Sequence, residues 1–290
     1  MFSNNNNEIS LPIERDIIFT NHKNVYKKGI EKRQKGLLNE ILFLKNFMEE
    51  DETVYLVTTA CSPTSMWEQL LTGWIYVYLK RALLIFTNKR IFHIPTNQDY
   101  SYRNSIAQLW YADCKSILIK GRNLIIEYKN GSKDKFLYLS GKEKKKIKTM
   151  LSSISFEGHP SKNQRRVHLC PRCRHELEQD KYVCSNCNLQ FKDKDEGRRI
   201  SIIYPGGGYF YTRHPWLGAS DAVVEILLLV FMIISLIDYL RGIQDSGFEF
   251  IWFAILLIIE KLISVYHSNH FIKEYIPKEK KDNTFNLDIN

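Results

Sequence analysis

Apolar positions recur along this chain with two different periods, and the changes between them predict its organisation. Over residues 23–50, Leu37, Leu38, Ile41, Leu42, Leu44, Phe47 and Met48 repeat at helical spacing among charged residues, which predicts a helix with one buried face. No proline interrupts it, although Gly29 and Gly36 weaken its first half. From residue 53 the pattern becomes strand-like: 53–60, 75–78, 82–87, 90–95, 106–110, 116–119, 123–128 and 135–139 are short runs rich in Val, Ile, Thr, Tyr and Phe. Asn88-Lys89, Gly121-Arg122 and Asn130-Gly131 supply turns between them, so a mainly antiparallel sheet is expected. Residues 141–154 return to helical spacing, with Ile147, Met150, Leu151 and Ile154 on one stripe. Residues 156–167, with Gly158 and Pro160 and no periodicity, read as a linker.

Past residue 200 the chain turns apolar. Segments 222–240 and 248–266 are each about 19 residues, or about 28 Å as a helix, close to the hydrocarbon thickness of a bilayer. Two transmembrane helices within 221–267 are predicted, with Trp216, Tyr239, Trp252 and Tyr266 as interfacial aromatics. The uncharged runs 226–237 and 250–259 also suit a buried core hairpin. Arg198, Arg199 and Arg213 precede the apolar pair and Lys261, Lys273, Lys278, Lys280 and Lys281 follow, whereas its loop offers Arg241 alone, so both termini are expected in the cytosol. Glu225, Asp238 and Glu260 are candidates for an intramembrane relay; the plainer expectation places all three near the interface.

Composition adds limits. At 290 residues the chain exceeds one average domain, which favours separate modules. The net charge of +9 is moderate and its signs are mixed, which argues against a nucleic-acid groove, although 142–148 is a basic run. Residues 1–50 read as a polar lead followed by the amphipathic helix, and 1–16 contain an Asn run and no apolar core of signal-peptide length. Cys61 and Cys114 stand in strand surroundings and are expected as reduced core residues.

The other four cysteines carry the clearest chemistry. Cys170-Pro171-Arg172-Cys173 is followed after ten residues by Cys184-Ser185-Asn186-Cys187, and two such pairs can point four thiolates at one tetrahedral ion. Four thiolates leave no open position, so one structural Zn2+ is expected, with two disulfides or a redox dithiol as alternatives. The stretch 168–195 resembles a short zinc ribbon. It departs from the usual knuckle where Arg174 and Asn188 stand in place of Gly; Asn accepts a left-handed backbone and Arg does so poorly.

Upstream, Leu83-Leu84-Ile85-Phe86-Thr87-Asn88-Lys89-Arg90-Ile91-Phe92-His93-Ile94 resembles the central hairpin of bacterial pleckstrin-homology-like (GRAM-like) domains, and 106–119 and 124–139 resemble the strand pairs that follow it. The resemblance spans about 51–155 and implies an α+β domain, an antiparallel sheet closed by a C-terminal helix. It also makes Lys80, Arg81, Lys89 and Arg90 candidates for an anionic lipid headgroup, against a reading of 87–90 as a turn whose Asn takes a special backbone angle. Within 200–218, Pro205, Gly206, Gly208 and Tyr211 are similar to the signature of small two-helix membrane modules of the TM2 type, with Thr212 where that family has Gly. Pro205 and the run Gly206, Gly207, Gly208 force a membrane-proximal turn.

The chain is thus expected to be multidomain: a pleckstrin-like sheet, a zinc ribbon and a transmembrane helical hairpin, with a basic polar tail over 268–290. No catalytic constellation stands at diagnostic spacing, so a non-enzymatic membrane-anchored adaptor, sensor or scaffold is expected, binding a protein or lipid partner. The alternatives are an oligomeric membrane component for transport or remodelling, and nucleic-acid binding by the ribbon through Arg165, Arg166, Arg172 and Arg174.

Overall fold

A computed structural model describes residues 11–66, 69–70, 79–154, 156, 160–161, 163–243 and 246–278. The chain divides into two compact units, Met1–Glu178 and Gln179–Asn290.

Among the described residues, the first unit contains two sheets rather than one. Strands β1 (Val54–Cys61), β2 (Arg81–Thr87), β3 (Arg90–Pro95), β4 (Ile106–Trp110) and β8 (Val167–Leu169) form the larger, in the order β1-β2-β3-β4-β8. Strands β5 (Cys114–Lys120), β6 (Asn123–Tyr128) and β7 (Lys133–Phe136) form the smaller, and all pairings are antiparallel. Around them lie α1 (Arg15–Ile18), α2 (Lys28–Asn39) and α3 (Lys144–Leu151).

Helix α2 is shorter than the apolar repeat suggested. After Asn39 the chain tightens into a 3-10 segment, Leu42–Phe47, which keeps Leu44 and Phe47 buried and turns Leu42 outward. The expected linker also holds structure: Val167, at its end, opens β8 and pairs with Gln108 of β4. The expected strand 75–78 lies outside the described residues.

The larger sheet is packed on both faces, which is why β2 and β3 read as nearly unbroken apolar runs. Leu84, Phe86 and Ile91 face one cluster with Leu124, Ile126 and Phe136 of the smaller sheet and Ile147, Met150 and Leu151 of α3. Leu83, Ile85, Phe92 and Ile94 face the other, with Ile18 of α1, Leu38 of α2, and Leu44 and Phe47. Register enforces the sorting, because the opposed pairs Phe86 with Ile91 and Ile85 with Phe92 each share a face. Each such side chain contributes about 1.5–3 kcal/mol on burial. The smaller sheet has one covered face: Ile117 is buried while its neighbour Leu118 is exposed.

The outer edge of β1 is occupied. Glu14 N–H donates to Val54 O (3.0 Å) and Val54 N–H to Pro12 O (2.9 Å). Further along, the buried Gln34 amide of α2 stands in for a strand, donating to Val57 O at 2.8 Å and accepting from Val57 N–H at 3.0 Å. At the far edge, Leu177 N–H donates to His168 O of β8 at 2.8 Å.

The second unit contains α4 (Lys194–Ile203), α5 (Gly207–Tyr211), α6 (Pro215–Leu240) and α7 (Ser246–Ile272). Asp193 caps α4 by accepting from Glu196 N–H at 2.8 Å, and Pro215 opens α6 where its missing N–H costs nothing. The expected glycine turn is present and tightly packed. Gly206 has φ +65°, and a Cβ there would meet Gly218 O at 2.0 Å, so no other residue fits. Helices α6 and α7 pack together, with Phe231 and Phe253 stacked at 5.4 Å.

Candidate metal centre and its surroundings

Cys170 follows β8 directly, so pairing of that strand to β4 fixes the first knuckle to the sheet. Arg174 N–H donates to Cys170 O at 2.9 Å, and Cys170 N–H to His175 O at 2.8 Å. The second knuckle repeats the pattern: Asn188 N–H donates to Cys184 O at 3.0 Å, and Cys184 N–H to Leu189 O at 2.9 Å. Both turns close through a left-handed residue, Arg174 at φ 65° and Asn188 at φ 56°. Arg174 therefore takes the backbone that its side chain disfavours, and its guanidinium donates to Asn46 O at 2.6 Å. The second knuckle is backed by Phe191, buried and edge-on to Tyr275 at 5.8 Å.

The four sulfur positions lie within 4.8 Å of one another, with Cys170 and Cys184 fully buried. Tetrahedral thiolate coordination places sulfurs about 3.8 Å apart, so the set could hold a metal ion with little adjustment. No disulfide forms among the described cysteines. Burial pushes the thiol of Cys61 up to about 11 and that of Cys114 up to about 12, which keeps both protonated at neutral pH.

The basic residues proposed for a headgroup are placed very differently from one another. Arg90 is buried and its guanidinium is bound to Glu52, with Nη2 to Oε2 at 2.6 Å and Nε to Oε1 at 3.0 Å. Phe92 and Trp110 cover it at 4.5 and 4.2 Å. Lys80 is also buried. Neither group is presented at the surface of this structure. Arg81 and Lys89 are more accessible; Arg81 bonds Gln98 O, and Lys89 pairs with Glu49 and Asp51 at 2.5 Å each. Asn88 does not take a left-handed backbone, contrary to the turn reading. Its side chain works instead, accepting from Thr53 N–H at 3.0 Å and donating to Asp51 O at 2.9 Å. Thr87 Oγ1 accepts from Lys89 N–H (3.2 Å) and Arg90 N–H (3.1 Å) and donates to Glu52 at 2.7 Å.

Two groupings were visible in the sequence only in part. His93 is buried, with Nε2 2.8 Å from Ser62 Oγ and Nδ1 2.9 Å from Arg166 Nη1. Burial, then the Arg166 charge, lowers its pKa well below the usual imidazole range. Because the guanidinium can only donate, Nδ1 accepts and Nε2–H donates to Ser62, the reverse of the polarity a general base needs. Arg166 is further tied to Asp134 at 3.2 Å.

The second grouping joins α6 and α7. Carboxylate oxygens of Asp221, Glu225 and Glu260 lie within 4.8 Å of one another. Glu225 is buried and takes Lys261 Nζ at 2.6 Å, and the same ammonium donates to Ser201 O at 2.8 Å. Of the three acids picked from sequence, Asp238 stands apart, 3.9 Å from Arg241; Asp221 takes its place. The Asp221–Glu225 and Glu260–Ser264 spacings, each one helical turn, were the available signal. No family model, curated protein or solved structure matches this chain.

Proposed function

We propose that the chain is a non-enzymatic membrane-anchored protein: a sheet domain and a zinc-stapled ribbon form a cytosolic head, held at the bilayer by α6 and α7. The observation that carries this reading is the inverted polarity of α6. Its buried residues are Gly218, Glu225 and Ser235, while Val223, Ile226, Leu227, Val230, Phe231, Ile233, Ile234 and Ile237 are exposed around the helix. A helix on a water-soluble surface has the opposite arrangement. Over 26 residues α6 is long and apolar enough to cross a membrane. Helix α7 has the same inversion, with Ser264 and Ser268 inside and Ile251, Ile255 and Ile258 outside, although Glu260 and Lys261 break its apolar run.

The metal is zinc, since four thiolates in a closed set match its preference and leave no position for substrate. The sheet with its closing helix α3 supports the pleckstrin-like resemblance, and the glycine turn ahead of α6 supports the TM2-like one. With Lys80 and Arg90 committed to the interior, the head offers Arg81 and Lys89 to an anionic lipid, and a protein partner is the stronger expectation. Both termini lie in the cytosol, following the excess of Lys and Arg outside the helical pair.

Carbonate washing of membranes from cells expressing the full chain, with zinc assayed in the detergent-solubilised pellet, tests this. Retention with about one zinc per chain is expected. Release into the supernatant would overturn the anchor.

A further inference from the structure

The carboxylates on α6 and α7 form a grouping that the anchor role does not use. Asp221 and Glu225 sit one turn apart on α6, and Glu260 and Ser264 one turn apart on α7. Each contributes an oxygen without a hydrogen-bond partner among the described residues: Asp221 Oδ2, Glu225 Oε1, Glu260 Oε2 and Ser264 Oγ. Glu225 is 2% exposed and Ser264 is 0% exposed, so water does not explain their want of partners. The Ser264 hydroxyl lies beside the Asp221 carboxylate.

The charges do not balance either. Three carboxylates face one ammonium, Lys261, which is held in place by Ser201 O and by Glu225 Oε2. Gly206 N–H adds a further bond to Glu225 Oε2 at 3.3 Å, so that oxygen is engaged while Oε1 has no partner among the described residues. With the acids ionised the cluster carries two surplus negative charges. Buried charge is retained where it is paired or holds a metal.

We propose that Asp221, Glu225, Glu260 and Ser264 bind one hard divalent cation of the Mg2+, Mn2+ or Ca2+ class. An all-oxygen donor set of three carboxylates and a hydroxyl suits such ions and not the soft ions that thiolates select. Two positive charges neutralise the surplus, and the ion bridges α6 to α7. The site is separate from the cysteine centre in residues and in ligand chemistry, and it does not depend on the chain being in a membrane.

The test is Mn2+ titration of the purified full chain in detergent, followed by loss of the free-ion EPR signal, with the cysteine centre preloaded with zinc. About one Mn2+ per chain is expected, displaced by Mg2+ or Ca2+. Glu260→Gln and Asp221→Asn should each weaken it by about tenfold or more, and Ser264→Ala by a smaller factor. Helical circular dichroism and zinc content report that each protein is folded. Ser264→Ala removes no charge, so it keeps the test open if a carboxylate variant fails to fold. A folded wild-type chain that binds no Mn2+, or folded carboxylate variants that bind it as wild type does, would overturn the site.

Discussion

Glu52 and Arg90, 38 residues apart in the chain, share a buried ion pair in which one carboxylate receives both Nε and Nη2 of the guanidinium. Two further donors go to Phe47 O at 2.9 Å and to the Gln108 side chain. Thr87 Oγ1 at 2.7 Å and Glu49 N–H at 3.1 Å also donate to the carboxylate. The pair thus joins the β2–β3 turn to the residues just ahead of β1.

Removing one member leaves the other buried and uncompensated. Glu52→Ala and Arg90→Ala are each expected to cost about 3–5 kcal/mol. Arg90→Lys should also destabilise strongly, because an ammonium cannot reproduce the two-pronged contact. Urea unfolding of the full chain in detergent measures all three; a cost for Arg90→Lys within about 0.5 kcal/mol of zero would show that the fork geometry is unimportant.

Metal removal should act locally. Chelation, or Cys184→Ser, is expected to increase amide exchange sharply over 170–191 while the helical circular dichroism of α6 and α7 persists. Uniform loss of structure along the whole chain would contradict this.

The left-handed turn residues give a finer probe. Asn188→Gly should leave metal affinity near its wild-type value, whereas Asn188→Val places a branched side chain at φ 56° and is expected to cost about 1–2 kcal/mol. Competition with a chromogenic chelator reads the difference, and equal affinities would show that the turn relaxes.

Alkaline pH should weaken the first unit. A thiol with a raised folded pKa keeps its proton where the unfolded chain has lost it. Its stabilisation is therefore intact below 9.0 and falls as pH rises toward about 11 for Cys61 and about 12 for Cys114. The slope is at most about 1.4 kcal/mol per pH unit for each thiol. Urea midpoints across that window should fall, and the Cys61→Ala, Cys114→Ala double variant should fall less steeply. Parallel curves would assign the loss to other groups.

Gly206→Ala is expected to cost more than about 2 kcal/mol, since the new Cβ meets Gly218 O and the backbone is left-handed. Thermal unfolding in detergent checks it, and an unchanged midpoint would mean that α5 can shift away from α6.

Much of this was legible in the sequence because period and spacing are local. The strands β2 and β3, the two cysteine knuckles and the apolar run of α6 each carry their signal within a few residues. The failures came from pairing over long distances. The tetrad Thr87 to Arg90 looks like a surface turn until Glu52 is placed beneath it, which is why Arg90 read as a lipid contact. Val167 carries no strand pattern of its own and becomes one by pairing with Gln108. Asp221 fell outside the apolar run and so drew no notice, whereas Asp238 fell inside it and drew too much.

The two occupied borders of the five-stranded sheet carry a consequence for solubility. Gln34, Pro12 and Glu14 take up the hydrogen-bonding groups along β1, and Leu177 does the same beside β8. Another chain arriving there finds those amides already engaged. Copies crowded together on a surface are thereby protected from joining sheet to sheet into fibrils, and a partner must recognise side chains rather than add a strand along these stretches.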